Sequence, residues 1–182
     1  MNQIGLDVNA VGNHEFDEGT DELRRLQEGG CHPVDGCLDG DGFAGADFEF
    51  LAANVVSQET GETLFPAYTV KRFPGGAQVA FIGMTLAGTP TIVTPEGVAG
   101  FDFLDEAETA NALVRRLERQ GIENIIVLVH EGGVTTGGGY NGCEGVSGPI
   151  VDIVERLDDQ VDAVISGHTH EAYNCVIDGI PV

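Results

Sequence analysis

The chain has 182 residues, 42% of them hydrophobic, and 30 acidic against 8 basic residues give a formal net charge of -22. This length and apolar content suit one domain with a real core. The acidic excess argues against binding a nucleic-acid polymer through a basic face, and no apolar run is long enough to cross a membrane.

In chain order, Asp7 to Val11 reads as a short strand that runs into Gly12-Asn13-His14-Glu15-Phe16-Asp17. Thr20 to Glu28 reads as a helix that Thr20 or Asp21 can cap, with Leu23 and Leu26 one turn apart. Residues 29–47 are rich in Gly, Asp and Cys and form a loop. Asp35, Asp39, Asp41, Asp47 and Glu49 invite a calcium reading. It fails, because with Asp39 in position one Phe43 falls on a ligand position and Phe50 replaces the closing Glu. A solvated acidic segment is expected instead.

Phe48 to Val56 and Gln78 to Met84 are apolar and strand-like. Asp105 to Gln120 is the clearest helix: Ala107, Ala110, Leu113, Val114 and Leu117 share one face, and Gly121 ends it. Asn124 to Val129 is a continuous apolar strand ending at His130. Residues 132–148 form a glycine-rich loop, expected to be flexible and near the site. Ser147 to Asp158 is a helix with Pro149 in its first turn. Val161 to Ser166 is a strand ending at Gly167-His168-Thr169-His170, and Asn174 to Ile177 starts another. Strands alternating with helices indicate an α/β domain with buried sheets. Both ends read as cut, the second in mid-hairpin, and Met1 to Asp7 lacks the basic and apolar regions of a signal peptide.

Cys31, Cys37, Cys143 and Cys175 contain no CxxC, which disfavours a zinc ribbon or a thioredoxin-type site. An even number on loops and strand ends predicts two disulfides, Cys31–Cys37 and Cys143–Cys175. That chemistry implies an oxidising setting, with the protein extracellular, periplasmic or at the cell surface.

Four of the five histidines, His14, His130, His168 and His170, lie at strand ends. Ligands of open α/β sheets bind at the carboxyl ends of strands. Asn13 offers a neutral amide oxygen to a divalent cation. If it binds metal, its neighbour His14 faces substrate, and Asp17 is close enough to orient that imidazole and stabilise its protonated form. His168 and His170, two apart after a strand, can reach adjacent metals. His32 has no such company and is expected at the surface. There is no GxSxG elbow and no GxxxxGK[ST] phosphate loop. A phosphorylated substrate would be repelled by so acidic a chain unless bound divalent metals reversed the local field.

The GNHEFD run (Gly12 to Asp17), His130-Glu131-Gly132-Gly133, the GHTH run (Gly167 to His170) and the LAAN stretch (Leu51 to Asn54) resemble signature blocks of the calcineurin-like metallophosphoesterases, specifically the 5′-nucleotidase family. The resemblance implies an incomplete four-layer αββα sandwich over residues 1–182, shortened at both ends. It implies that Asn13, His130 and His168 bind one metal, that His170 binds a second, and that His14, oriented by Asp17, assists catalysis. Two divalent ions (zinc, manganese or iron) would activate water against a nucleoside 5′-monophosphate or a related phosphate ester. UDP-sugar or 2′,3′-cyclic-nucleotide hydrolysis, or a noncatalytic metal-binding module, are the alternatives. The family's DxH and GD blocks, which supply the remaining ligands, do not precede Gly12, nor is its base-stacking C-terminal domain present. Efficient activity from this chain alone is therefore not expected.

Overall fold

The computed structural model describes residues 1–38, 40 and 42–182. Asp39 and Asp41 of the acidic segment lie outside the described residues. The chain runs β1 (Val8–Ala10), α1 (Thr20–Glu28), β2 (Glu49–Leu51), β3 (Val55–Ser57), β4 (Tyr68–Arg72), β5 (Gln78–Thr85), β6 (Phe101–Phe103), α2 (Glu106–Glu118), β7 (Asn124–His130), α3 (Pro149–Glu155), β8 (Ala163–Ser166), β9 (Val176–Ile177) and β10 (Ile180–Pro181).

The main sheet has the order β4-β5-β7-β8. β5, β7 and β8 are parallel, and β4 is an antiparallel edge. Their side chains alternate between two faces. Ile125, Val127 and Val129 of β7 turn under α2 and α3, into a core shared with Ile82, Met84, Val114, Leu117 and Ile150. The intervening Leu128 and His130 line the opposite face together with β1. There β1 pairs in parallel with β2, and β3 pairs antiparallel with β6. A second core, built on Val11, Phe16, Leu23, Phe50 and Val55, packs α1 against these short strands. The layers thus run α1, short strands, main sheet, α2 with α3: the αββα sandwich expected from the motifs.

Several local expectations are corrected. Phe48 to Val56 is two strands, because the backbone turns away at residues 52–54. Ala52 N–H donates to Pro66 and Ala53 N–H to Gly83. Neither Thr20 nor Asp21 caps α1; Gly19 holds that position at φ 87°, with no side-chain cap bond. α3 is shorter than Ser147 to Asp158. β4 and β6 were not legible: both are half-exposed, and β4 carries Lys71 and Arg72 on a sheet edge. α2 is capped by Asp105, which accepts from Glu108 N–H at 2.8 Å. The Arg156 guanidinium hydrogen-bonds the Asp105 carboxylate and holds its pKa below the usual value.

Cys31–Cys37 and Cys143–Cys175 are both bridged, with Cα separations of 4.7 and 5.1 Å. The glycine-rich stretch is a tight hairpin rather than an open loop, closed by Val134 opposite Ser147 and Gly137 opposite Glu144. His32 lies at the surface, its side chain 32% exposed, with its Nδ1 accepting from Asp35 N–H at 3.1 Å. Among the described residues, no helix is long and apolar enough to cross a membrane.

Candidate metal centre

The site grows from the carboxyl ends of β1, β7 and β8. After β1, Val11 N–H donates to Leu51, and the Thr85 hydroxyl donates to the Val11 carbonyl at 2.8 Å. Gly12 follows, where a Cβ would stand 2.7 Å from His130 Cε1 and from Glu15 Oε2. Only glycine lets the chain pass this close to the imidazole. Asn13 is then buried, 2% exposed. It precedes the 3-10 turn His14–Phe16 but makes no side-chain cap bond. Its Oδ1 turns inward instead.

Two imidazoles meet that oxygen. His130 Nε2 lies 2.9 Å from Asn13 Oδ1, and His168 Nδ1 lies 3.1 Å from it. The two rings stand edge to face, with centroids 5.2 Å apart. Burial pushes the His130 pKa down; neighbouring His168 adds to this, Glu15 opposes it, and His14 and His170 add smaller contributions. The imidazole is therefore held neutral, the form that binds metal.

The turn after β8 is under conformational stress. His168 and His170 adopt φ of 69° and 57°, the left-handed region that side chains rarely occupy outside constrained sites. The surroundings fix it. Gly167 N–H donates to the Glu131 carbonyl, and the Thr169 hydroxyl donates to the Gly133 carbonyl at 2.7 Å. A Cβ on Gly132 would overlap the Gly167 carbonyl oxygen. The buried Glu131 carboxylate accepts from Gly132 N–H at 2.8 Å.

His14 differs from these. Its side chain is 80% exposed, and its Nδ1 sits 2.8 Å from Asp17 Oδ2. Phe16, fully buried edge-on against Phe103, anchors the turn that presents the pair. His170 is also exposed, and it lines a separate cleft with Thr135, Thr136 and Tyr140.

A metal requirement can be tested on the donors. No three His, Cys, Asp or Glu side chains form a metal-holding group among the described residues. What converges is two imidazoles and one amide oxygen. The donor set fits one divalent ion. For a second ion, His170 stands without a converging partner among the described residues.

Three supporting residues escaped the sequence reading of the site. Thr85 carries a weak signal: it ends an apolar strand as His130 ends NIIVLV, and the two are register partners. Asn54 is fully buried, with its Nδ2 donating to the Thr85 and Leu104 carbonyls while its Oδ1 accepts from Thr85 N–H. Only its place in the LAAN stretch marked it. Nothing in the sequence marks the Glu131 carboxylate as buried.

Residues 7–172 match the calcineurin-like phosphoesterase family. The chain belongs to that family. As a calcineurin-like phosphoesterase it is 36% identical over 179 residues to Endonuclease YhcR of Bacillus subtilis, covering 98% of this chain and 14% of that protein. It is 31% identical to Cell wall protein Lmo0130 of Listeria monocytogenes, over 97% of this chain and 24% of that protein. It is 32% identical to a 5′-nucleotidase of Vibrio cholerae, over 94% of this chain and 28% of that protein. The phosphoesterase chain thus spans well under a third of each of these relatives. Among solved structures, the 5′-nucleotidase precursor from Thermus thermophilus superimposes with a TM-score of 0.67 at 29% identity, over 93% of this chain and 27% of that one. The calcineurin-like phosphoesterase YfkN from Bacillus subtilis gives 0.69 at 25% identity, over 93% of this chain and 47% of that one.

Proposed function

We propose that this chain is the later part of a metal-dependent phosphohydrolase domain of 5′-nucleotidase type, acting on nucleoside 5′-monophosphates or related phosphate esters. The observation that carries the reading is the shared Asn13 oxygen, within 3.1 Å of both His130 and His168. Those three side chains would hold one divalent ion, and His170 would contribute to a second. When bound, such ions supply Lewis-acid polarisation of the phosphoryl group and an activated water.

The chain's own residues do the rest. Burial keeps the His130 imidazole a neutral donor. His14, whose side chain is 80% exposed, would hold a proton near a phosphoryl oxygen or a leaving group. Asp17 at 2.8 Å orients that ring. Donors from an upstream segment, a bridging carboxylate among them, would complete the second ion's site. The two disulfides and the cell-wall relative support a location outside the cytoplasm.

Calorimetric titration of the purified chain with Zn²⁺ or Mn²⁺ tests this. About one ion per chain is expected, lost in His168→Ala and in Asn13→Ala. A stoichiometry unchanged by both substitutions would refute the assignment. Strong metal-dependent AMP hydrolysis by the chain alone would refute the claim that its second site is incomplete.

A further inference from the structure

Five of the chain's eight basic residues, Lys71, Arg72, Arg115, Arg116 and Arg119, fall on β4 and at the C-terminal end of α2. Glu118 is the one carboxylate within residues 68–72 and 113–120. The two elements are tied together. The Arg116 guanidinium lies over the Tyr68 ring, 5.8 Å from its centroid, and Gln120 Nε2 donates to the Tyr68 hydroxyl at 3.5 Å. Tyr68, Val70 and Arg72 share one face of β4, and Tyr68 and Val70 pack on the same core as α2. Lys71 points the other way and pairs with Asp7 at 3.5 Å. Among the described residues, no carboxylate pairs with Arg72, Arg115, Arg116 or Arg119. In a chain with 30 acidic residues, four such arginines make an open cationic surface. Charges in physiological salt act over about 8 Å, so these arginines, and not the net charge of -22, govern what settles on this face.

The same place offers a free sheet edge, because β4 stands at one end of the order β4-β5-β7-β8. Gly83 N–H donates to the Ala67 carbonyl at 3.2 Å and Phe73 N–H to the Ala77 carbonyl at 2.8 Å. These bonds aim residues 67 and 73 at β5. By antiparallel alternation Thr69 and Lys71 also bond inward, and Tyr68, Val70 and Arg72 turn their N–H and C=O groups outward. Ala52 N–H fills the first outward carbonyl, that of Pro66. Beyond it, no hydrogen bond among the described residues reaches the outward backbone groups of β4. Such an edge is a template for another strand. Beside it, between residue 53 and α2, lies a cavity of about 640 Å³ walled by Ala53, Ala67, Leu104, Ala112 and Leu113. Leu104 is 45% exposed there. Arg116 and Glu108 also line the cavity, about 12 Å apart along α2. Asp105 lines it too, but its carboxylate is already held by Arg156.

We propose that this face docks an acidic, extended polypeptide segment of a partner, which adds to β4 as a fifth strand of the four-stranded main sheet. The backbone of the segment pairs with the outward groups of Tyr68, Val70 and Arg72. Its carboxylates meet Arg72 and Arg116, and an apolar side chain on the same face enters the cavity beside Tyr68. Each feature selects a different property of the partner. The edge demands an extended backbone, the arginines demand negative charge, and the cavity demands an apolar side chain at alternating spacing. A folded acidic surface satisfies the arginines alone. Lysine or arginine on an edge strand can serve merely to repel other strands. That role does not account for Arg115, Arg116 and Arg119, which α2 supplies, or for the cavity. The docking face shares no residue with the metal centre and needs no metal.

Amide-detected NMR titration of the purified chain with the acetylated and amidated peptide TETETLT tests the docking face. Its two glutamates and its leucine lie on one side of an extended backbone. Shifts are expected at residues 67–73 and 112–120. The lysine peptide TKTKTLT should not bind. Neither should TETETLT N-methylated at every residue, which keeps the charge but cannot donate to the edge. Both controls use the unaltered chain, so the result does not depend on a variant folding. Arg72→Glu with Arg116→Glu should weaken binding roughly tenfold, the loss of two exposed ion pairs and the repulsion that replaces them. Arg24→Glu, on the exposed side of α1, should leave binding unchanged. Equal binding by the N-methylated peptide or by inorganic polyphosphate would show an anion patch without strand addition and overturn the proposal. Shifts confined to other residues, no shifts at all, or equal binding by the double variant would also overturn it. So would the same shifts on concentrating the chain without peptide, which would assign the face to a second copy.

Discussion

The Thr85 hydroxyl donates to the Val11 carbonyl at 2.8 Å, across 74 residues of sequence and with both side chains fully buried. This bond ties the end of β5 to the backbone immediately before Gly12 and Asn13. Thr85→Val keeps the shape but removes that carbonyl's donor. A loss of about 1–3 kcal/mol is expected, measured by urea unfolding. Zn²⁺ affinity should fall by roughly tenfold, as for other partners behind a metal ligand.

Gly132→Ala should be damaging in a specific way. The new Cβ overlaps the Gly167 carbonyl and approaches Thr169 Oγ1, so the turn carrying His168 must move. Gly167→Ala makes a control: its Cβ would meet nothing nearer than His130 Nδ1 at 3.6 Å. Metal binding should be lost in the first variant and retained in the second, with both still giving the folded circular-dichroism spectrum. Equal binding in the two would show that the close approach at Gly132 does not position His168.

Glu106 supplies a pH dependence. Its side chain is 6% exposed and accepts from Ala87 N–H at 2.6 Å. Burial, the dominant cause, raises its pKa above the ordinary 4.5; Asp105 and Glu131 add to the rise. The folded chain therefore keeps a proton that the unfolded chain releases. Stability from this group is complete below pH 4.5 and is lost as pH rises through the folded value. Glu106→Gln keeps an oxygen for Ala87 and removes the titration. Its stability relative to the parent should improve from about pH 4.5 upward and then level off. Denaturant midpoints across a pH series would show this, and a flat difference would disprove it.

Removing the longer disulfide, by Cys143→Ser with Cys175→Ser, should cost about 3–4 kcal/mol for a loop of this size. It should also free the hairpin wall that carries Tyr140. Limited proteolysis should then cut first between residues 136 and 145, while the shorter Cys31–Cys37 link stays intact.

The sequence exposed the site more fully than the frame around it. Buried elements with strong periodicity, such as NIIVLV and the apolar face of α2, were legible because burial imposes a pattern. The break at residues 52–54 was not, because it depends on Asn54 meeting Thr85 and Leu104, partners 31 and 50 residues away. β4 hid for a related reason: a half-exposed edge strand with Lys71 and Arg72 carries little alternation. His14 and Asp17 are near in sequence and could be paired by inspection. The meeting of Asn13 with His168 spans 155 residues: strand ends suggested that the two runs assemble, and the family resemblance alone put both residues on one metal.

The position of His130 has one further consequence. It ends β7, an interior strand flanked by β5 and β8, and it faces Asn13, whose approach is locked to β5 through Val11 and Thr85. Amide hydrogen exchange in interior strands proceeds through the largest openings a protein makes. Deuterium should therefore enter the backbone of residues 125–129 only when the whole domain unfolds, and long after it enters the hairpin tip around Tyr140. The His130 end of the metal centre therefore rests on the last unit to open.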